Sequence, residues 1–131
     1  MQLNKSTDYA IRILLYLASQ NSICSTGDIS DAMKIPTRET SYLLKEMTAN
    51  KILKSTRGKF GGYALAKDLE NITMYDVISW TTKDMKINAC LKDIGECSRN
   101  HTHACKVRKR FNELQALVDE RLQSITLNEF I

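Results

Sequence analysis

Residues 37–65 read TRETSYLLKEMTANKILKSTRGKFGGYAL, and this stretch decides the fold. Pro36 interrupts the chain just before it, which leaves Thr37 to cap a helix running to about Asn50. Leu43, Leu44 and Met47 recur at helical spacing and face inward. Two strand-like runs follow, Ile52 to Thr56 and Tyr63 to Leu65. Between them lies Arg57-Gly58-Lys59-Phe60-Gly61-Gly62, which holds three of the chain's five glycines. Glycines concentrated between two such runs mark a tight reversal, so a basic hairpin follows the helix.

Upstream, residues from about 4 to 20 read as a helix with Asn4, Ser6 and Thr7 as caps. Ile11, Leu14, Leu15 and Ala18 form its inner face, and Ile13, Tyr16 and Leu17 add apolar surface on other sides, so this helix is expected to be nearly surrounded. A second helix starts near Ser25 or Thr26, with Ile29, Ala32 and Met33 facing inward. Three helices and then a basic hairpin is the order of a winged helix-turn-helix. Downstream, a fourth helix is expected from Thr73 to about Thr81 and a last one from about Cys105 to Ile125, separated by the polar, weakly periodic stretch Lys83 to Ala104. The fold class is therefore mainly α with a small β-hairpin wing. Its expected parts are a DNA-binding domain over 1–82, a cysteine loop over 83–106, and a dimerisation helix with its tail over 107–131.

A chain of 131 residues makes one domain, or a small domain completed by a partner. A net charge of only +4 excludes a general polycation, so any nucleic-acid surface is a local patch. No apolar run follows a basic start, and the run Ala10 to Ala18 is broken by Arg12 and too short to span a bilayer. The expectation is a cytoplasmic protein with no signal peptide and no membrane contact. No Ser/His/Asp or Cys/His arrangement has local support, and neither a Walker-type loop nor a dinucleotide fingerprint is present. No catalytic residue is assigned, and an enzyme is not expected.

In a helix-turn-helix the second helix of the pair enters the major groove. Arg38, Ser41 and Lys45 lie at i, i+3 and i+7 on that helix, opposite its apolar face. Arg38 suits guanine edges, Ser41 can donate or accept, and Lys45 suits phosphate. Thr37 and the helix N-terminus can hold a phosphate as well. Arg57 and Lys59 sit at the hairpin tip, which can enter a minor groove or follow the backbone. Each charge alone is equally well read as solvated; the joint pattern points to double-stranded DNA.

Cys90, Cys97 and Cys105 crowd the polar stretch in the pattern C-x6-C-x7-C. This lacks the C-x2-C pairs of zinc ribbons and the ferredoxin runs. Thiolates are soft ligands that suit iron–sulfur clusters, and loops of this length close at modest entropic cost. Lys92, Arg99 and Lys106 would offset the charge of three thiolates. The alternative is three reduced cysteines used as small apolar residues, or a redox pair. Cys24 lies far away and reads as a packed small residue. A fourth ligand is required, and His101 and His103 sit inside the loop. In the last helix Val107, Phe111, Leu114, Val118, Leu122 and Ile125 recur at steps of 4, 3, 4, 4 and 3. Such a near-heptad seam favours a partner helix, and a twofold homodimer is the commonest solution.

Taken together, Met1-Gln2-Leu3, Thr7-Asp8-Tyr9-Ala10-Ile11-Arg12, the wing Arg57-Gly58-Lys59-Phe60-Gly61-Gly62-Tyr63, the three-cysteine loop and the long final helix resemble the Rrf family of iron–sulfur transcription regulators, the group that contains IscR and NsrR. The likeness covers nearly the whole chain. It implies a homodimeric winged-helix protein on palindromic operators. An iron–sulfur cluster sensing nitric oxide, redox state or iron–sulfur status would control its DNA affinity. The wing departs from the family's frequent glycine-proline-glycine at Gly58-Lys59-Phe60, and the cysteine gaps are longer than usual, which leaves a two-iron or four-iron cluster open. IscR-type members carry a histidine ligand three residues after the third cysteine, where this chain has Arg108. NsrR-type members use the acid of the Thr7-Asp8-Tyr9 motif, supplied by the partner subunit, so the resemblance makes Asp8 the first choice for the fourth ligand. The alternative function is a cluster-free winged-helix repressor that responds by thiol oxidation or through a protein partner.

Overall fold

The computed structural model describes residues 1–92, 97–100 and 103–131. Helix α1 spans Lys5–Gln20. Asn4 caps it by accepting the Thr7 N–H at 3.0 Å, and Asn21 ends it in a left-handed conformation. Ala10, Ile13, Leu14 and Leu17 form the buried stripe at i, i+3, i+4 and i+7. This stripe is turned about one position from the expected Ile11/Leu14/Leu15/Ala18 face, whose other members pack half-buried along its edge. Both faces find cover because α1 touches α2, α3, α4, the wing and the C-terminal turn.

Helix α2 covers Thr26–Met33, with the Ser25 side chain capping the Asp28 N–H. Ile29 is buried as expected, but Ala32 is exposed and Ser30 lies inside in its place. The physical reason is the turn that follows. The Ser30 hydroxyl donates to the Ile35 carbonyl at 2.6 Å and meets the Thr37 hydroxyl at 3.2 Å. Lys34 adopts a left-handed conformation (φ 54) and Ile35 plugs into the core, so three residues turn the chain from α2 into α3. Helix α3 covers Thr37–Ala49. Thr37 is its first helical residue and not its cap. Pro36 holds the cap position with φ −55 and ψ 138, and its carbonyl accepts the Thr40 N–H at 3.0 Å. Leu43, Leu44 and Met47 are buried, as their spacing required.

Strand β1 (Leu53–Thr56) and strand β2 (Gly62–Leu65) pair antiparallel, with Leu53 opposite Leu65 and Thr56 opposite Gly62. The backbone of Cys24 bridges to the other edge of β2: its N–H donates to the Tyr63 carbonyl at 2.9 Å and its carbonyl accepts the Tyr63 N–H at 2.8 Å. This bond pair pins the wing to the α1–α2 connection. Gly62 permits it, because its φ is +153 and a Cβ there would strike the Cys24 carbonyl oxygen. Cys24 itself is buried in the core, the packed small residue expected.

Helix α4 runs Met74–Thr81, opened by a reciprocal Thr73–Asp76 capping box. Helix α5 runs Lys106–Ser124 with Cys105 as its cap residue. The chain then returns in a way its sequence pattern did not announce. Ile125 and Leu127 bond to the backbone of Met74 and Ile72, and Leu127 is fully buried among core residues. Among the described residues no helix is long and apolar enough to cross a membrane.

Two stability outcomes follow. Ser30→Ala orphans a buried carbonyl and should cost about 1–2 kcal/mol, read as a lower urea midpoint at fixed protein concentration with an unchanged m-value. Gly62→Ala combines a disfavoured φ with a backbone collision and should cost about 2 kcal/mol or more; an unchanged midpoint would show that the Cys24–Tyr63 pairing is not needed.

Candidate DNA interface and cysteine site

The exposed face of α3 carries Arg38 and Lys45, with Ser41 half-buried beside them and Thr37 exposed at the N-terminus. No side chain caps that N-terminus. Tyr42, 62 % exposed, stands on the same face, one turn after Arg38. The spacing 38, 42, 45 carried that signal, and the sequence reading passed over it. Arg38, Glu39, Tyr42 and Leu43 also line a cleft of about 180 Å³ against Ser6 of α1. Arg57 and Lys59 are exposed at the hairpin tip, and the Lys59 ammonium lies 5.7 Å from the centre of the Phe60 ring.

Cys90 lies half-buried in a short 3-10 turn, Ala89–Leu91, and the Asn88 amide donates to its sulfur at 3.2 Å. Cys105 caps α5, where its sulfur accepts the Arg108 N–H at 3.4 Å. The Arg108 side chain reaches across to the Cys90 carbonyl at 3.0 Å. One arginine thus ties the turn bearing Cys90 to the helix end bearing Cys105. Cys97 is half-buried, and its carbonyl accepts the Asn100 N–H at 2.8 Å. Among the described residues no three Cys, His, Asp or Glu side chains gather into a metal-sized group. His101 lies outside the described residues. His103 is exposed and lines, with Cys105, Lys106, Arg108, Lys109 and Asn112, a cleft of about 270 Å³ at the start of α5.

The charges around the thiols are arranged differently from the simple expectation. Lys92 pairs with Asp84 at 2.6 Å. That bond, with the Lys86 N–H, holds the Asp84 carboxyl below the usual carboxylate range. Beside Cys105 stands Lys106, one of the cations named from the sequence, together with Arg108 and Lys109. Asp8, in the first turn of α1, pairs with Arg12 at 2.6 Å, and Arg12 stacks near the Tyr9 ring.

Three sets of bonds fasten the parts around this region: the Met1 ammonium donates to the Lys86 carbonyl at 2.7 Å, and two others lie on either side of it. The Asn4 amide donates to the Thr81 carbonyl at 3.0 Å, and the Thr7 and Thr81 hydroxyls meet at 2.7 Å, so the start of α1 is fastened to the end of α4. On the other side Gln115 is the one α5 residue buried on the chain's own domain. Its carboxamide accepts the Ile87 N–H at 2.8 Å and donates to the Met85 carbonyl at 3.0 Å and to Asp119 at 2.8 Å. The segment leading to Cys90 is thereby clasped onto α5. No periodicity marks this glutamine in advance. Of the expected seam, Phe111, Val118, Leu122 and Ile125 are half-buried, whereas Val107 and Leu114 are exposed, joined by Leu117 at 64 % exposure.

The Rrf2 model, described as an iron-dependent transcriptional regulator, matches residues 3–131. Among curated relatives, the HTH-type transcriptional regulator NsrR of Shouchella clausii (strain KSM-K16) is 28 % identical, over 98 % of this chain and 91 % of its own length. Two solved structures share the fold. CymR, the global cysteine regulator of B. subtilis, matches with a TM-score of 0.75 at 21 % identity, over 99 % of this chain and 95 % of CymR. T. potens IscR matches with a TM-score of 0.70 at 20 % identity, over 99 % of this chain and 85 % of that one. Because the family match takes in reader, wing, cysteine loop and final helix alike, the chain belongs to the Rrf2 family of DNA-binding transcriptional regulators and is not an enzyme.

Proposed function

We propose that two copies of this chain grip a palindromic operator in the cytoplasm, and that an iron–sulfur cluster sets how tightly they do so. The observation that carries this reading is Cys105. It is at once a thiol of the three-cysteine loop and the cap residue of α5. Whatever holds its sulfur therefore fixes the first turn of the helix that would pair with a partner. The division of labour follows the sequence: residues 1–82 read DNA, 83–106 carry the thiols, and 107–131 supply the dimer helix and its tail.

The donor types suit such a group, although the described side chains do not themselves gather into a metal-sized cluster. Cys90, Cys97 and Cys105 offer soft sulfur, and Lys106, Arg108 and Lys109 border Cys105 with positive charge that suits an anionic centre. Asp8 of the partner subunit would complete the set with an oxygen ligand, giving up its Arg12 pair to do so; His103 and His101 are the competing donors. When bound, the cluster supplies a site reactive toward nitric oxide, oxidants or iron loss. The chain's own residues do the rest. Arg108 holds the turn of Cys90 to the first turn of α5, Gln115 clasps residues 85–87 to the middle of α5, and Asn4 with Thr7 fastens α1 to the end of α4. The cysteine segment meets the N-terminal part where the Met1 ammonium donates to the Lys86 carbonyl, and a change at the thiols would reach the reader through that contact and the chain from Thr81 to Met85. It shifts DNA affinity only if the two arrangements differ in stability.

On the DNA, Arg38 and Ser41 would meet base edges, Lys45, Thr37 and the open α3 N-terminus phosphates, and Arg57 with Lys59 the minor groove or backbone. A cluster-free thiol switch is the second reading. It is favoured by the Arg108 bond that draws the Cys90 and Cys105 segments together.

Arg38→Ala should weaken operator binding by about 1–3 kcal/mol and relax discrimination at one base position, whereas Lys45→Ala should weaken all duplexes alike and lower the salt slope by about 1. Fluorescence anisotropy on a duplex selected from a random pool, repeated at several salt concentrations, checks both; wild-type values for the two variants would remove α3 from the interface. For the thiol site, anaerobically reconstituted wild-type protein is expected to be coloured and to contain iron and sulfide. Cys105→Ser should lose both, and Asp8→Ala should change the spectrum or speed its decay. A colourless protein whose Cys90 and Cys105 oxidise together would instead establish the thiol switch, and an unaltered Asp8→Ala spectrum would pass the ligand role to the histidines.

A further inference from the structure

Phe60 is 86 % exposed at the tip of the wing, the most exposed of the large apolar side chains among the described residues. Exposed phenyl rings lose favourable free energy in water, and nothing in the chain's own core uses this one. The Lys59 ammonium lies 5.7 Å from the ring centre.

The tip that presents it is built to a fixed shape. The Gly61 N–H closes the turn onto the Gly58 carbonyl at 3.0 Å. A Cβ on Gly61 would collide with the Thr56 carbonyl, and one on Gly62 with that of Cys24. The Cys24–Tyr63 backbone pair then holds the root of the hairpin. Phe60 is therefore displayed on a short, anchored turn, so little further ordering is needed when it meets a partner.

The surroundings say which partner. Residues 51–67 contain Lys51, Lys54, Arg57, Lys59 and Lys67 and no acidic residue. At the tip itself Arg57 and Lys59 are the charges beside the ring, and an apolar ring between two cations complements a polyanion with an apolar interior, which is a nucleic-acid duplex. We propose that Phe60 is a wedge that enters the minor groove beside the half-site and partly unstacks one base step. Apolar side chains are used in this way by proteins that bend DNA toward the major groove. Pyrimidine–purine steps deform most easily, so a TA or CA step is expected under each wing and would be selected without any hydrogen bond to its bases. The proposal rests on the wing reaching the duplex, as the proposed function holds.

The test uses full-length protein and a duplex that the wild type selects from a random pool, with 2-aminopurine placed in turn at each flanking position. Wild-type binding should brighten the probe at one step on each side. Phe60→Ala should abolish the brightening and weaken binding about tenfold, while leaving the salt slope unchanged because no phosphate contact is lost. Phe60→Leu should retain most of both signals, since leucine also serves as a wedge. Arg57→Ala should lower the salt slope. If Phe60→Ala binds and brightens the probe like wild type while Arg57→Ala is weakened, the wedge is wrong and the wing contact stands. If neither variant differs from wild type, the wing does not touch DNA and both fall. Equal thermal midpoints for the variants exclude misfolding, as expected for a side chain this exposed.

Discussion

The burial of α1 is the constraint on which the rest of the molecule depends. Ala10, Ile13, Leu14 and Leu17 are shut away from solvent by α2, α3, α4, the wing and the returning C-terminal turn. Through these contacts α1 packs against both α3 and the wing and sets how the two lie relative to one another. The same helix begins at Asn4, whose side chain caps α1 and also bonds the end of α4. The helix that supports α3 and the wing is thus also fastened to the end of α4, from which the chain leads into the cysteine segment.

Cys105 sits where α5 begins, Arg108 binds the turn of Cys90 to that point, and Gln115 clasps residues 85–87 farther along. The outward face of α5 carries Val107, Leu114 and Leu117 into solvent, an apolar cost that a second copy would remove. In a dimer the two readers would stand about 34 Å apart if their half-sites are one turn apart. Small changes at the start of α5 would then alter how the readers sit relative to one another.

Most of the architecture was legible because it is written in strong local signals. The glycine cluster at 58–62, Pro36, and the apolar spacing of Leu43, Leu44 and Met47 fixed the order of helix, turn, helix and wing before any coordinates. What escaped depends on long-range partners that leave no local trace. Ser30 faces inward where Ala32 was expected because its hydroxyl satisfies Ile35 across the turn, and Pro36 takes the cap position from Thr37. Gln115 is buried by bonds to residues some thirty positions away. Leu127 enters the core because the chain folds back on Ile72 and Met74. At the candidate site the residue types were legible and the pairings only in part. Lys92 is drawn to Asp84 by a contact that leaves no local signal, whereas the Asp8–Arg12 pair, at i and i+4 on α1, lay within reach of helical spacing. Tyr42 was within reach of the helical spacing, whereas the exposure of Phe60 follows only from the shape of its turn.

The most direct measurement of the central claim is the dissociation constant of a selected operator duplex under anaerobic conditions, taken on one preparation as its iron is removed stepwise by a chelator. Affinity should move in proportion to iron content, by about tenfold or more, with half-loaded protein falling between. An operator affinity that stays constant from full loading to none would contradict a regulator switched through its cysteine loop.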